Sequence, residues 1–242
     1  MIKSPALSGR LTAVVSLVSR CGAVIDIGSD HAYVPIWLTS KGICERALAC
    51  DIGTGPLERA REHIESYGLA GKIGIVLSDG LASSEIREFI RQNHSAKCVL
   101  TISGMGGILM TKILKDAEDI LPLFTSFILQ PQSDPDRVRY FLSENGYSIQ
   151  DESMLMEDGK YYTVILAVPG TMRLREEEAV FGPCLLAGKD PVLFGYLQKQ
   201  RSIREEILRS LTGRDTETAR ERTEEIMHEL DVIRFAEEYY ES

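Results

Sequence analysis

Apolar and polar positions follow two rhythms along the first 170 residues. Short apolar runs fall at 23–27, 46–52, 72–77, 98–102 and 125–129. Runs this short and this continuous predict strands buried on both faces, as in a parallel sheet. Between them the apolar positions recur with helical spacing, predicting helices over 7–20, 35–41, 57–67, 84–92, 108–117 and 135–144. The punctuation agrees with this reading. Ser8 is placed to cap the first helix, Gly42 and Gly68 to stop the second and third, and Asp134 to cap the sixth with Pro135 at its first position. Two alternating runs, 147–156 and 160–168, flank Glu157-Asp158-Gly159 and predict an antiparallel hairpin.

The order is therefore five strand–helix units followed by a hairpin. Pro169-Gly170 marks a boundary, and after Gly182-Pro183 the pattern changes. Leu193, Leu197, Gln200, Ile203, Ile207 and Leu211 keep nearly heptad spacing up to Gly213. Ala219, Thr223, Ile226, Leu230, Ile233 and Tyr240 keep 4-3 spacing after it, with Glu237 as a polar slot. Two such helices about a short break predict an antiparallel helical hairpin of coiled-coil type. The expected division is residues 1–170 for the sheet domain and 171–242 for the helical one.

Composition changes this picture little. With 242 residues and 44% hydrophobic content, the chain can bury a substantial core. No apolar run is long enough to span a bilayer, and residues 1–20 lack a signal-peptide core, so a cytoplasmic location with no membrane partner is expected. The five cysteines include no CxxC pair and read as buried thiols, with no metal site expected. Net charge is −9, yet residues 1–24 hold Lys3, Arg10 and Arg20 and no acid. A local basic patch can coexist with an acidic whole, so charge leaves a nucleic-acid partner open. No obligate protein partner is implied.

Candidate chemistry gathers at the strand ends. The first run ends in Asp26-Ile27-Gly28-Ser29-Asp30-His31-Ala32-Tyr33, a glycine turn bracketed by two carboxylates. The second ends at Asp51-Ile52, where an acid in a nucleotide-binding unit hydrogen-bonds ribose hydroxyls. The third ends at Asp79-Gly80, placing an acid for the exocyclic amine of a purine. The fourth delivers Ser103-Gly104-Met105-Gly106-Gly107, whose glycines suit close backbone approach to a ligand. A dinucleotide needs its pyrophosphate at a G-x-G-x-x-G turn, but this loop has one glycine and places an acid at Asp30. A sulfonium cofactor with an amino-acid tail tolerates that acid. The loop therefore favours S-adenosyl-L-methionine over a nicotinamide cofactor. The strand order predicts a class I (Rossmann-like) methyltransferase: a seven-stranded mixed sheet with helices on both faces.

The Asp26–Tyr33 stretch with Pro35, the Gly104–Gly107 cluster, Gln130-Pro131 and the C-terminal helical hairpin together resemble the TrmK family of bacterial tRNA (adenine-22-N1)-methyltransferases. The resemblance covers nearly the whole chain. Ser103 and Gln132 depart from it, standing where the family often has Ala and Asn. It implies N1 methylation of an adenine in the D-arm region of tRNA, with S-adenosylmethionine as cofactor and tRNA as partner. N1 of neutral adenine carries an in-plane lone pair and needs no general base, but the product is a cation. A carboxylate near the purine can accept a hydrogen bond from its amino group as charge grows, and Asp30 is assigned that catalytic role. Cofactor contacts are expected from Asp26, Gly28, Ser29, His31, Asp51, Ile52, Asp79, Gly80, Gly104, Met105 and Gly106. Substrate contacts are expected from Arg10, Tyr33, Gln130 and Tyr161. Arg10 also reads as part of a solvated helix face. Of Tyr161 and Tyr162, alternation should turn one to the core and the other to the cleft. The helical hairpin is a candidate second grip on the RNA. The competing readings are a small-molecule methyltransferase, a non-catalytic cofactor-binding scaffold pairing through its C-terminal helices, and a dinucleotide-dependent oxidoreductase.

Overall fold

The computed structural model describes residues 4–93, 97–213 and 216–241; Lys3, counted in the basic N-terminal stretch, lies outside them. The chain divides into two compact units, one ending at Met172 and the other starting at Arg173.

The first unit runs α1 (Gly9–Ser16), β1 (Cys21–Ile27), a 3-10 turn (Asp30–Ala32), α2 (Tyr33–Ser40), β2 (Cys44–Asp51), α3 (Thr54–Ser66) and β3 (Ile73–Leu77). It continues α4 (Ser84–Gln92), β4 (Cys98–Met105), α5 (Gly107–Lys115), β5 (Ser126–Pro131), α6 (Pro135–Glu144), β6 (Tyr147–Glu157) and β7 (Lys160–Pro169). The seven strands form one sheet in the order β3-β2-β1-β4-β5-β7-β6. The first five pair in parallel, while β7 runs antiparallel to both β5 and β6. The expected fold class is the observed one.

Strand alternation explains the two-sided core. Val24, Ala47, Val99 and Ile128 are buried with Val14 and Val15 of α1, Ile36 and Leu38 of α2, and Ala60 and Ile64 of α3. The intervening positions Ile25, Leu48, Leu100 and Phe127 are buried too, as are Ile86 of α4, Met110 of α5 and Val138 of α6. A sheet covered on both faces needs apolar residues at successive positions, which is the continuous pattern the sequence carries.

Local chemistry sets the boundaries. Ser8 caps α1, its hydroxyl accepting from the Leu11 N–H. The helix stops at Ser16, four residues short of the expected end, which leaves Arg20 outside it. Asp158 and Gly159 have φ of +51° and +75°, the pair of positive values that a two-residue type I′ hairpin turn requires. Asp134 does not cap α6 through its side chain: its φ is +52° and its carboxylate accepts instead from the Ser133 hydroxyl at 2.6 Å.

The second unit contains α7 (Glu176–Phe181), α8 (Pro183–Ala187), α9 (Pro191–Leu211) and α10 (Glu217–Glu241). The two short helices have no counterpart in the sequence reading, because neither is long enough to show a period. Asp190 caps α9, accepting from the N–H groups of Val192 and Leu193. The Tyr240 hydroxyl donates to the Asp190 carbonyl, Gln198 donates to Glu237, and Arg204 pairs with Glu229. These contacts run in opposite directions along α9 and α10, so the pair is an antiparallel hairpin. Leu193, Leu197, Ile226 and Ile233 form its buried seam, but Ile203 is exposed. The polar slot Glu237 is buried and paired with Arg201 across the helices.

Hydropathy did not foretell one feature of the first unit. Arg139 of α6 and Glu152 of β6 are both almost fully buried and pair at 2.8 Å. Removing one member of such a pair strands the other charge. Arg139→Met should therefore destabilise the protein by about 3–5 kcal/mol in urea unfolding, and a loss below about 1 kcal/mol would contradict this reading.

Candidate active site

The carboxy-terminal ends of β1 and β4 define the site, because the sheet order turns there. After Ile27 the chain folds over β2. The N–H groups of Gly28 and Ser29 both donate to the Cys50 carbonyl at 2.9 Å. Gly28 takes φ +74°, and a Cβ there would lie 2.3 Å from the Met105 methyl. His31 and Ala32 then adopt φ of +64° and +53°. Two consecutive non-glycine residues in the left-handed region cost about 1–2 kcal/mol each, so the loop holds its shape only through its neighbours.

Those neighbours come from α3. Arg59 donates through Nε and Nη2 to Asp30 Oδ1, at 3.1 and 2.9 Å. His63 Nδ1 lies 3.2 Å from the His31 carbonyl oxygen. The His31 ring stacks on His63 at 4.9 Å and on Tyr33 at 5.4 Å. Neither Arg59 nor His63 is among the site residues expected from the sequence. Its available signal was the four-residue spacing of Arg59 and His63, which puts both on one side of the helix.

β4 carries the second wall. Ser103 pairs with Gln130 and Met105 with Pro131, so Gly104 is an extra, bulged residue with φ +79°. The fully buried Gln130 accepts from the Gly104 N–H at 3.0 Å and from Arg10 Nη1 at 2.7 Å. Arg10 is thus turned inward, not solvated on a helix face. Glu157 fixes α1 by accepting from the Gly9 N–H at 2.6 Å. At Gly107 the close approach is to the chain itself: a Cβ there would meet the Asp134 carbonyl oxygen at 2.3 Å.

These elements enclose a cleft of about 490 Å³. It brings together Asp26, Gly28, Ser29, Asp30, His31, Tyr33, Arg10 and Gly104 of the expected residues, and adds Ser103 and Gln132. Met105 and Gly106 follow Gly104, with Gly106 preceding α5 as its cap. Gln130 has no open surface, so its contribution to this wall is to orient Arg10 and the Gly104 amide. Tyr162, not Tyr161, lies under the Arg10 guanidinium, 6.0 Å from ring centroid to charge. Both tyrosines are half-buried, so neither belongs to the core. Asp51, Ile52, Asp79 and Gly80 lie outside this cleft, at the ends of β2 and β3. Asp51 accepts from the Gly53 N–H at 2.8 Å, Asp79 is exposed, and Ile52 is 70% exposed, an unusual position for an isoleucine. Gly80 is buried against Ile113 of α5.

Asp26 is the electrostatic centre of the cleft. Only 4% of it is exposed, and the Thr101 hydroxyl donates to its Oδ1 at 2.6 Å. Burial pushes its carboxyl up to about 6, against the opposing pull of the Ser29 and Thr101 side chains. A buried carboxylate in this state is ionised most readily by a cationic neighbour. The His31 Nδ1 is buried without a hydrogen-bond partner among the described residues, a second polar group left open for a ligand. An amino-acid moiety with an ammonium group fits both. Of the five free cysteines, four are buried; Cys184 is half-exposed. Among the described residues no group of His, Cys, Asp and Glu could hold a metal ion, and no helix is long and apolar enough to cross a membrane.

Sheet order and cleft together define a class I methyltransferase. The family model of tRNA (adenine(22)-N(1))-methyltransferase, TrmK, matches residues 24–234, and the chain belongs to that family. It is 31% identical to the tRNA (adenine(22)-N(1))-methyltransferase of Bacillus subtilis (strain 168), with 94% of this chain and 95% of that protein covered. Its fold is similar to Streptococcus pneumoniae Sp1610 in complex with S-adenosyl-L-methionine, at 33% identity and a TM-score of 0.82 over 96% of this chain and 99% of that one. It is also similar to TrmK of M. capricolum in complex with S-adenosyl-homocysteine, at 28% identity and a TM-score of 0.81 over 96% and 98%.

The sign of the Asp26 shift gives a test. The folded carboxyl holds its proton to about pH 6, whereas the usual value is 3.8. Its favourable contribution is therefore complete below about pH 4 and is lost as pH rises through about 6. The loss is on the order of 3 kcal/mol. Asp26→Asn removes this dependence. In urea unfolding, the variant should gain on the parent by about that amount between pH 4 and pH 7. A difference that stays constant with pH would contradict the assignment.

Proposed function

We propose that this chain transfers a methyl group from S-adenosyl-L-methionine to N1 of adenine 22 in tRNA. The observation that carries the reading is the pairing of two unlike carboxylates in one cleft: buried Asp26 and half-exposed Asp30. When bound, S-adenosylmethionine supplies a methyl group on a sulfonium, which a ring nitrogen can take without a general base.

Asp26 serves the cationic amino-acid end of the cofactor, beside the backbone of Gly28, Ser29, Gly104 and Gly106. His31 Nδ1, on the loop after β1, and Met105, at the end of β4, complete the cofactor side. Asp51 serves the ribose hydroxyls, Ile52 offers an apolar face to the adenine ring, and Asp79 with the Gly80 turn accepts from its amino group. On the target side, Asp30 Oδ2 has no hydrogen-bond partner among the described residues, so it is placed to accept from the amino group of the target adenine. The carboxylate then faces positive charge as it develops on the purine, worth about 3 kcal/mol for a preorganised group. Tyr33 is the stacking surface for that base, and Arg10, held by Gln130 and Tyr162, is the cation for the RNA backbone. The base must leave its helix to reach this cleft. The partner is tRNA, and the cytoplasm is the compartment assigned to the reaction.

Labelled S-adenosylmethionine and unmodified tRNA, with nucleoside analysis, test the reading. 1-Methyladenosine is expected. No transfer despite intact cofactor binding would overturn it in favour of a small-molecule methyltransferase or a scaffold. Asp30→Ala should keep cofactor affinity and lose about 100-fold in kcat. Near-normal turnover of a folded Asp30→Ala protein would remove Asp30 from the mechanism.

A further inference from the structure

We infer that Arg59 is the positioning residue for Asp30, an inference that rests on the catalytic role proposed for Asp30 above. Arg59 stands on α3, outside every motif that identifies the site. Two of its N–H groups converge on a single oxygen, Oδ1, while Nε2 of His31 lies 3.6 Å from the same atom. Oδ2 is left without a hydrogen-bond partner among the described residues. A carboxylate gripped at one oxygen by a planar guanidinium has its plane and its free oxygen set together. That is the requirement for accepting a hydrogen bond from a base in one orientation.

The grip has a reason to exist. Asp30 opens a turn whose next two residues, His31 and Ala32, both take positive φ without being glycine. The turn gets no side-chain cap at its start. His63, one helical turn beyond Arg59, braces the following residue by stacking on the His31 ring and approaching its carbonyl. Arg59 and His63 therefore hold adjacent residues of the loop from one face of α3. About half of each partner's side chain, Arg59 and Asp30, remains exposed. The pair accordingly lies at the mouth of the cleft and forms no part of the core, so its role is geometric rather than one of fold stability.

The test is a double-mutant cycle on Arg59→Met and Asp30→Ala, read with tRNA and S-adenosylmethionine. Each variant is measured for kcat, for KM with tRNA, and for cofactor dissociation constant by calorimetry. Arg59→Met is expected to lower kcat about 10-fold or more, because misplacing a reacting group by a fraction of its length has effects of this size. The KM for tRNA and the cofactor dissociation constant should stay within 2-fold. In the Asp30→Ala background the same change should cost less than 2-fold. Arg59→Lys, which keeps the charge but not the two-donor fork, should fall between. It also carries the cycle if Arg59→Met proves unstable.

Full kcat for Arg59→Met beside a crippled Asp30→Ala would overturn the inference alone. So would an equal loss in both backgrounds, or a rise confined to the KM for tRNA, either of which would make Arg59 a direct RNA contact. Full activity of Asp30→Ala by itself would refute the role of Asp30, and this inference with it.

Discussion

The structure depends on keeping one carboxylate out of water. Asp26 is the penultimate residue of β1, an interior strand of the sheet, where β2 and β4 flank it and leave 4% of it exposed. Such burial is costly for a charge, and the chain offers only partial relief through the Thr101 hydroxyl on the adjacent strand. A cation placed beside Asp26 would offset that residual cost. The neighbouring design follows from this. Gly28 must lack a side chain so that the turn can close over β2 with Met105 beside it, and β4 must bulge at Gly104 so that its amide faces Gln130.

Around that centre, rigidity is supplied from a distance. The loop after β1 takes two left-handed steps that its own sequence does not favour, and α3 holds them through Arg59 and His63. Arg10 reaches the opposite wall only because Glu157, at the hairpin turn, anchors the start of α1. The hairpin that completes the sheet thus also sets an arginine in the cleft. Site geometry and sheet topology are coupled in this way, with candidate site residues on loops and their supports on regular elements.

Most of the fold was legible because strands buried on both faces write themselves as continuous apolar runs, and because Gly42, Gly68, Pro135 and Asp158-Gly159 punctuate them. The glycine turn and the acids at successive strand ends marked the site for the same reason: each sits where a strand must stop. What stayed illegible depends on contacts across the fold. Arg139 and Glu152 look like surface charges until α6 and β6 are packed together. Arg59 and His63 look like a solvated face until the β1 loop lies against them. Gln130 reads as a substrate contact, yet its side chain is spent on Arg10 and Gly104. Gly107 reads as ligand approach, yet the approach is of the 133–134 backbone. No periodicity carries such pairings, because each partner's pattern is ordinary on its own.

The most direct test of this account is the titration of Asp26 itself, by carboxyl carbon NMR of the protein labelled at aspartate, with Asp26→Asn identifying the resonance. A midpoint near pH 6 is expected in the free protein, with a fall of at least one unit when S-adenosylmethionine is added. A midpoint near 4 in the free protein, or one that the cofactor leaves unmoved, would contradict it.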